Sequence, residues 1–190
     1  MNSENKNITN GRPGHTLLAV LFVTAGVILD QWTKYWSVHH LKEADPMVLI
    51  DGVLEFRYLE NRGAAFSMLQ GQQGFFYVLT ALFLVFALAV LLRIPMARRY
   101  LPMKLCVLGL CAGAIGNLID RIAKKYVVDF IYFSLIDSPI FNVSGIFVTC
   151  SVVLLILLIL FYYREEEFQF LSFRKTAGED ERETSAEKKP

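Results

Sequence analysis

The chain has 190 residues, of which 54% are hydrophobic and 19% are charged, and its formal net charge is +1. This composition excludes an ordinary soluble domain, and we expect no nucleic-acid partner. The apolar excess is concentrated in four long uncharged runs, at residues 16–29, 75–92, 105–119 and 138–163. A helix needs about 20 apolar residues to cross a membrane, and the shorter runs reach that length with their flanking Trp, Tyr and Thr residues. We therefore predict an all-α polytopic membrane protein built as a bundle of four transmembrane helices.

The first run follows a polar leader, so a cleavable signal peptide is an alternative interpretation of residues 16–29. No A-x-A-like cleavage site follows this run, and three further spans do. Both observations favour a retained transmembrane helix.

The loop between the second and third runs indicates the orientation of the chain. Residues 93–104 contain no acid and four basic residues, which are Arg93, Arg98, Arg99 and Lys104. The positive-inside rule assigns such a loop to the cytoplasm. With four spans, both termini are then cytoplasmic, and the membrane domain covers residues 16–163. Residues 1–15 form a leader, and residues 164–190 form a charged tail that we expect to be disordered.

The segment between the first two spans predicts a small β-hairpin on the extracytoplasmic side. Residues 46–50 and 53–59 read as two strands around a two-residue Asp-Gly turn at residues 51–52. Apolar and charged residues alternate in the second strand, so one of its faces is apolar. The hairpin either caps the bundle or forms a cradle for a substrate, and the sequence leaves both open.

Polar residues gather at the extracytoplasmic ends of the spans. Asp30 and Lys34 are four residues apart at the end of span one, so they share a helical face and can pair. Ionisable groups at membrane depth are costly, and their convergence from several spans predicts a functional site, although each residue alone can be an interfacial anchor or a helix cap. The further members of this group are Asn61 and Gly63 before span two, Asn117, Asp120 and Arg121 at the end of span three, Asp129 in a short outer loop, and Asn142 at the start of span four.

Span three also carries small residues at a spacing of four, in the pairs Gly109 with Gly113 and Ala112 with Gly116. Such spacing lets neighbouring helices approach closely around the polar group. Helix packing without any functional role explains these residues equally well.

The chemistry of this site follows from the residue types available. Metal-dependent hydrolysis has weak support, because the three histidines are His15, His39 and His40 and no H-E-x-x-H helix exists. A serine protease at Ser144 would need a histidine base on another span, and no histidine follows residue 40. The carboxylates remain, which favours an aspartic mechanism in which two acids share a proton and activate water, without metal or cofactor.

Five ordered motifs carry a family resemblance. They are DQWTK at residues 30–34, NRGAAFS at 61–67, GAIGNLIDR at 113–121, VVDF at 127–130 and FN at 141–142. Together they closely resemble the lipoprotein signal peptidase family, also called signal peptidase II, over about residues 17–163. The resemblance implies an aspartic endopeptidase of the bacterial cell membrane with its active site at the extracytoplasmic face. Its implied partners are membrane lipid and a diacylglyceryl-modified prolipoprotein, which it cleaves just before the lipidated cysteine.

The resemblance also assigns residues to roles by position. Asp129 matches one of the two catalytic aspartates of the family. The second aspartate of the family lies three residues after the Asn of the Phe-Asn motif, where this chain has Gly145. The residues that match positions shaping the site or contacting substrate are Asp30, Lys34, Asn61, Gly63, Asn117, Asp120, Arg121 and Asn142.

The glycine at the second position has a direct chemical consequence. Without a side chain at Gly145, Asp129 has no second carboxyl group to donate a proton or orient water, and a positioned acid-base group contributes about 10²- to 10⁴-fold. Asp137, in the same outer loop, is the nearby spare acid, and a solvent-exposed loop acid is its alternative role. We predict a lipoprotein signal peptidase. The alternatives are a catalytically impaired relative that binds lipidated signal peptides and a non-proteolytic small membrane protein.

Overall fold

The computed structural model of the chain describes residues 12–63 and 71–171. Four α-helices and three β-strands make up this part: α1 (Arg12–Leu41), β1 (Met47–Ile50), β2 (Leu54–Asn61), α2 (Gln73–Arg93), α3 (Leu101–Lys124), β3 (Val127–Phe133) and α4 (Val143–Leu157). A π-helical turn (Leu158–Tyr162) extends α4, and short 3₁₀ helices cover Arg98–Tyr100, Ser134–Ile136 and Glu165–Leu171. Four helical segments are long and apolar enough to cross a membrane, which confirms the four predicted spans.

Helix α3 is the central helix of the bundle. It packs against α1, α2 and α4, and it contains more buried residues than any other described helix. Its first turn carries Pro102, which lacks the N–H that would be unsatisfied there. The helix ends at Lys124, and the C-cap residue Lys125 has a left-handed φ of 68°. By contrast, α2 is apolar on all sides and has few buried residues, as expected of a helix that faces lipid.

The small residues of α3 allow α4 and α1 to approach it closely. A Cβ atom at Gly113 would lie 2.5 Å from the Ser144 carbonyl oxygen and 2.6 Å from Val148 Cγ2. A Cβ atom at Gly116 would collide with Ser144 Oγ and lie 2.6 Å from Asp30 Oδ2. The predicted close approach of helices at these small residues is therefore confirmed, and it brings α1, α3 and α4 together near the polar residues.

The three strands form one antiparallel sheet in the order β1-β2-β3. The predicted hairpin is present, but its turn has three residues rather than two, because Ile50 pairs with Leu54. Gly52 takes a left-handed φ of 67°, and the Val53 N–H donates to the Ile50 carbonyl at 3.0 Å. An irregularity in β1 next to Ile50 accompanies this longer turn.

Strand β3 corrects the prediction that Asp129 lies in an outer loop. Residues 127–133 pair with β2 along its length, and Asp129 lies opposite Leu59. The segment is rich in β-branched and aromatic residues, which suit a pleated and half-buried surface. Its partner strand ends 66 residues earlier, at Asn61, and a pairing over that distance leaves no local signal.

The helix of the fourth span starts later than the apolar run predicts. Residues 138–142 are not helical, and the Phe141 N–H donates to the Ile131 carbonyl at 2.9 Å, which adds a short bridge beside β3. The helix then begins at Val143 with Asn142 as its N-cap.

The two terminal segments are described only in part. Residues 12–15 of the predicted leader belong to α1, and residues 165–171 of the predicted tail form a 3₁₀ helix. In that helix Glu167 accepts a 2.8 Å hydrogen bond from Arg99 Nε. Residues 1–11 and 172–190, and the internal residues 64–70, lie outside the described residues.

Candidate active site

The Asp129 carboxylate is held at the edge of the bundle by two amide groups. Its Oδ1 accepts a 2.6 Å hydrogen bond from Asn142 Nδ2, and its Oδ2 accepts a 2.8 Å hydrogen bond from Asn61 Nδ2. The side chain is buried, with 3% of the residue exposed. Strand β3, the end of β2 and the N-cap of α4 therefore position this carboxylate together.

The environment of Asp129 changes its acidity. Burial raises the pKa of Asp129 to about 6 because it penalises the charged form. The two amide hydrogen bonds and the positive charges of Lys34 and Arg121 oppose this shift without cancelling it. A carboxylate with a pKa near 6 is ionised at neutral pH and is still basic enough to accept a proton from water.

Asn142 connects Asp129 with Gly145, the position at which the family resemblance implies a second aspartate. As the N-cap of α4, its Oδ1 accepts a 2.7 Å hydrogen bond from the Gly145 N–H, while its Nδ2 donates to Asp129. The two bonded atoms of the amide group are about 2.3 Å apart, so the Gly145 nitrogen lies within about 8 Å of the Asp129 carboxylate. The sequence-based expectation that the two motifs meet in one pocket agrees with this geometry.

The backbone at Gly145 has room for a side chain. A Cβ atom there would lie 3.4 Å from Phe141 Cβ and 3.6 Å from Asn142 Oδ1, which is ordinary van der Waals contact. Gly145 is the third residue of α4, where a carboxylate also interacts favourably with the positive end of the helix dipole. An aspartate at this position is therefore compatible with the described structure.

Asp129 and Gly145 line the same cavity, which has a volume of about 450 Å³. Among its described lining residues, Asp129 is the single acid and Arg121 the single base. Phe141 and Val148 supply apolar wall. The cavity is also lined by the predicted site residues Asn61, Gly63, Asn117 and Asn142. Five of the eight residues assigned to site shaping thus lie around one opening.

The predicted pair of Asp30 and Lys34 is present and is part of a larger buried network. Lys34 Nζ lies 2.8 Å from Asp30 Oδ2 and 3.1 Å from Asp120 Oδ2, and all three side chains are fully buried. Lys34 Nζ also donates to Asn117 Oδ1 at 3.0 Å. The sequence groups Asp120 with its neighbour Arg121. Its contact with Lys34, which comes from another helix, has no local sequence signal.

The two carboxylates of this network have further partners. Asp30 Oδ1 accepts from the Ser144 N–H at 2.8 Å, which fixes α4 against α1. Asp120 accepts from Lys124 Nζ at 3.1 Å and from the Val128 N–H at 3.1 Å, which fixes the start of β3 against α3. Two lysines thus balance two aspartates, and burial of each charge is compensated by hydrogen bonds.

Asn117 connects the charge network with the catalytic candidate. Its Oδ1 accepts hydrogen bonds from Lys34 Nζ and, at 3.1 Å, from Asn142 Nδ2. The same Asn142 amide bonds Asp129. The orientation of the carboxylate is therefore coupled through two asparagines to the buried lysine.

Arg121 holds the end of strand β2 over the cavity. Its Nη2 donates to the Gly63 carbonyl at 3.2 Å, and its guanidinium lies 4.5 Å from the centre of the Phe76 ring. The Gly63 N–H donates to Asn61 Oδ1 at 3.0 Å, which leaves the Asn61 amide nitrogen facing Asp129. The contact of Phe76 with Arg121 could not be predicted from the sequence, because an aromatic residue in an apolar run gives no separate signal.

Asp137 lies away from the cavity. It is exposed, and its Oδ1 accepts a 2.8 Å hydrogen bond from Tyr132 Oη. Alternate residues of a strand point to opposite faces, so Tyr132 and Asp129 face opposite sides of β3. The described structure does not bring Asp137 together with Asp129. It also contains, within its described ranges, no group of three His, Cys, Asp or Glu side chains that could hold a metal.

Comparison with known proteins places this site in a family. The sequence profile of the family described as signal peptidase (SPase) II matches residues 22–161. The chain belongs to the signal peptidase II family. It is 39% identical over 137 residues to the lipoprotein signal peptidase of Streptococcus pyogenes strain Manfredo, covering 72% of this chain and 89% of that protein. The enzyme of strain MGAS8232 matches at the same identity and coverage.

Solved structures show the same fold. One, described as a bacterial membrane enzyme solved by the in meso method at 2.3 Å resolution, matches with a TM-score of 0.67 and 30% identity, covering 84% of this chain and 94% of that chain. A second, at 1.9 Å resolution, matches with a TM-score of 0.64 and 33% identity, covering 77% of this chain and 94% of that chain. The family resemblance of the motifs is thus confirmed. The chain is a multi-pass membrane peptidase of the signal peptidase II type, and the comparisons do not favour a non-proteolytic membrane protein.

Proposed function

We propose that this signal peptidase II binds a diacylglyceryl-modified prolipoprotein at the cavity beside Asp129 and cleaves the peptide bond just before the lipidated cysteine. The observation that carries the proposal is the Asp129 carboxylate. It is buried, held by Asn61 and Asn142, and has a pKa of about 6 at the wall of an open cavity. Those properties suit a general base near neutral pH.

In the proposed reaction, Asp129 takes a proton from a water molecule whose oxygen attacks the carbonyl carbon of the scissile bond. The C–N bond then breaks, and the amine of the lipidated cysteine needs a proton as it leaves. In the family, the resemblance implies a second aspartate for this proton transfer. Here Gly145 offers none, so Asp129 must return the proton itself or water must supply it. We therefore expect slow cleavage with substrate binding retained.

The other site residues act by positioning. Asn61 and Asn142 orient the carboxylate, Arg121 and Gly63 fix the strand end at the opening, and the network of Lys34, Asp30, Asp120 and Asn117 holds three helices and β3 in register. None of these contacts requires a cofactor. The proposal therefore assigns the chemistry to Asp129 and the geometry to its neighbours.

We place the site at the extracytoplasmic face of the bacterial cell membrane. Support comes from the basic loop at residues 93–104. This loop leads into the beginning of α3, whereas the cavity is lined by Asn117 and Arg121 near the end of α3. Both termini are then cytoplasmic, with residues 1–15 and 164–190 flanking the peptidase domain at residues 16–163.

We also assign the sheet a role as a substrate cradle rather than a simple cap. Strand β2 pairs with β3, which carries Asp129, so the hairpin is continuous with the site. All four residues of β1, Met47–Ile50, are apolar and exposed, which suits an edge lying on the membrane surface. A lipidated substrate would approach the cavity from that surface.

The proposal is tested with a lipobox peptide whose cysteine carries diacylglycerol and with the same peptide carrying unmodified cysteine. The chain should bind and slowly cleave the lipidated peptide in preference. Asp129→Asn should lower cleavage by at least about 10²-fold while binding persists, and Asp137→Asn should change neither. Equal cleavage of the lipidated and the unmodified peptide would refute the proposed reaction. Cleavage that persists in Asp129→Asn would also refute it. Binding without any cleavage would instead support the impaired relative, for which the absent side chain at Gly145 is the specific observation.

A further inference from the structure

A second and larger cavity, of about 1150 Å³, lies at the other end of the bundle. Helices α1 and α2 each pack along α3, and this cavity lies between them. Its walls are mainly aliphatic, with Ala19, Val20, Val23, Leu84, Leu88 and Leu108 among the lining residues. Asp129 lies in β3, just after the end of α3, whereas this cavity extends to Lys104 near the beginning of α3. The two cavities share no lining residue.

The rim of this basal cavity is basic. His15, Arg93 and Lys104 line it, and no acid is found among its described lining residues. Lys104 Nζ contacts Met96 Sδ at 3.3 Å, and a thioether is a weak acceptor. Within the described ranges no carboxylate lies in ion-pair distance of Lys104, whereas nearby Arg99 pairs with Glu167 at 2.8 Å. Among the described residues, the Lys104 charge at the mouth of this apolar cavity therefore has no anionic partner.

We infer that the basal cavity binds an anionic diacyl phospholipid, with an acyl chain between α1 and α2 and the phosphate group at Lys104. Basic pockets between transmembrane helices at the cytoplasmic side are suited to anionic lipid headgroups. The volume is large enough for acyl chain as well as headgroup, since typical small-molecule sites measure roughly 300–1,000 Å³. The aliphatic wall and basic rim match the two chemically different parts of such a lipid.

Charge complementarity selects this occupant over a peptide. The amino-terminal region of a bacterial signal peptide is positively charged, so a basic rim repels it. A free inorganic anion satisfies the rim but leaves the aliphatic walls uncovered. A zwitterionic phospholipid fills the walls but brings its own cation to the rim. An anionic phospholipid satisfies both.

The inference is tested with the full chain purified in detergent and offered phosphatidylglycerol or phosphatidylcholine with identical acyl chains. Native mass spectrometry then measures how much of each lipid stays bound. Phosphatidylglycerol should be retained in preference, and Lys104→Gln should weaken its binding about fivefold, as expected for one lysine near a phosphate. The matched control is Lys125→Asn. It removes an exposed lysine at the other end of α3, at a left-handed φ of 68° that Asn tolerates, and should leave binding unchanged.

A second variant tests the cavity itself. Ala19→Phe places a ring in the aliphatic wall without changing the charge, and it should lower the retention of phosphatidylglycerol while the helix content by circular dichroism stays that of the parent. Equal retention of the two lipids by the parent, or unchanged phosphatidylglycerol binding in Lys104→Gln, would overturn the inference. Binding that survives Ala19→Phe would overturn the location. These experiments measure lipid retention and helix content, so their results do not depend on whether the chain cleaves a peptide.

Discussion

Asp129 and Gly145 lie on either side of one amide group, that of Asn142, which donates to the carboxylate at 2.6 Å and accepts from the glycine N–H at 2.7 Å. The first turn of α4 is therefore fixed relative to strand β3 by a single side chain. Both residues line one cavity, and a Cβ atom at position 145 makes only ordinary van der Waals contacts. Among the described residues that line this cavity, Asp129 is the single acid, and position 145 has space for the Cβ of a second one.

The first prediction concerns the pH dependence of cleavage. Because Asp129 must be deprotonated to act as a base and burial raises its pKa to about 6, the slow cleavage of the lipidated peptide should rise with pH and level off above about pH 6. Single-turnover rates between about pH 4.5 and 8 measure this. Rates that fall over this range would show that an acid, not a base, limits the reaction.

The first prediction has a second part, because the same carboxylate makes the free energy of unfolding depend on pH. Its folded-state pKa of about 6 is above the ordinary value of 3.8, so the stability that the neutral form contributes is fully present below about pH 4. That contribution is lost as pH rises through about 6. Asp129→Asn should therefore stabilise the protein relative to the parent more at pH 7 than at pH 4, by an order of 1–3 kcal/mol. A difference in the free energy of unfolding between the two proteins that is the same at pH 4 and pH 7 would contradict this assignment.

The second prediction concerns the buried lysine. Lys34→Met leaves Asp30 and Asp120 without their shared cation and should cost about 3–5 kcal/mol in the free energy of unfolding. Lys42→Met is the matched control, because Lys42 is 45% exposed and lies 3.4 Å from Glu60 at the surface. Its loss should cost less than about 1 kcal/mol. Thermal unfolding in detergent compares the two variants, and similar shifts would mean that the buried network contributes no more than a surface pair.

The third prediction concerns helix approach. Gly116→Ala places a methyl group against Ser144 Oγ and the Asp30 carboxylate, so it should destabilise the bundle by about 1–3 kcal/mol. Gly74→Ala is the control, because no atom lies within 4 Å of a Cβ there, and it should be neutral or slightly stabilising. A Gly116→Ala variant with the same unfolding temperature as the parent would show that the close approach of the helices does not contribute to stability.

The fourth prediction concerns topology. In a variant with its cysteines replaced, Met47→Cys should react with a membrane-impermeant thiol reagent in intact cells, whereas Ala97→Cys should react only after permeabilisation. Both positions are exposed, so the difference reports the side of the membrane. The basic loop at residues 93–104 motivates this orientation. A reversed pattern would move the site to the cytoplasmic face.

Local periodicity and spacing predict much of this fold. The spans follow from uncharged runs of membrane length, and the Asp30–Lys34 pair follows from the spacing of four along one helix. The contact of Lys34 with Asp120 and the pairing of β3 with β2 could not be predicted in the same way. They join segments far apart in sequence, and their partners are chosen by tertiary packing rather than by local pattern.

The candidate site shows the same division. The motifs indicate Asn61, Asn142 and Asp129 as site residues. The pairing of each amide nitrogen with a carboxylate oxygen depends on the N-cap of α4 and the end of β2, which the motifs do not predict. The support of Arg121 by Phe76 has no sequence signal, since the ring lies in an apolar run. Proximity in sequence makes Asp137 a candidate for the second acid, but it does not line the cavity that contains Asp129. The alternation of β3 places its partner Tyr132 on the face away from Asp129.

The most direct measurement of the central claim compares cleavage of the diacylglyceryl lipobox peptide by the parent, Gly145→Asp, Asp129→Asn and the double variant. If the site lacks only its second carboxylate, Gly145→Asp should raise the cleavage rate by at least about 10²-fold, and adding Asp129→Asn should abolish that gain. Binding of the peptide should change little across the four proteins. A parent that already cleaves as fast as Gly145→Asp, or that loses its activity on Asp137→Asn, would contradict the account.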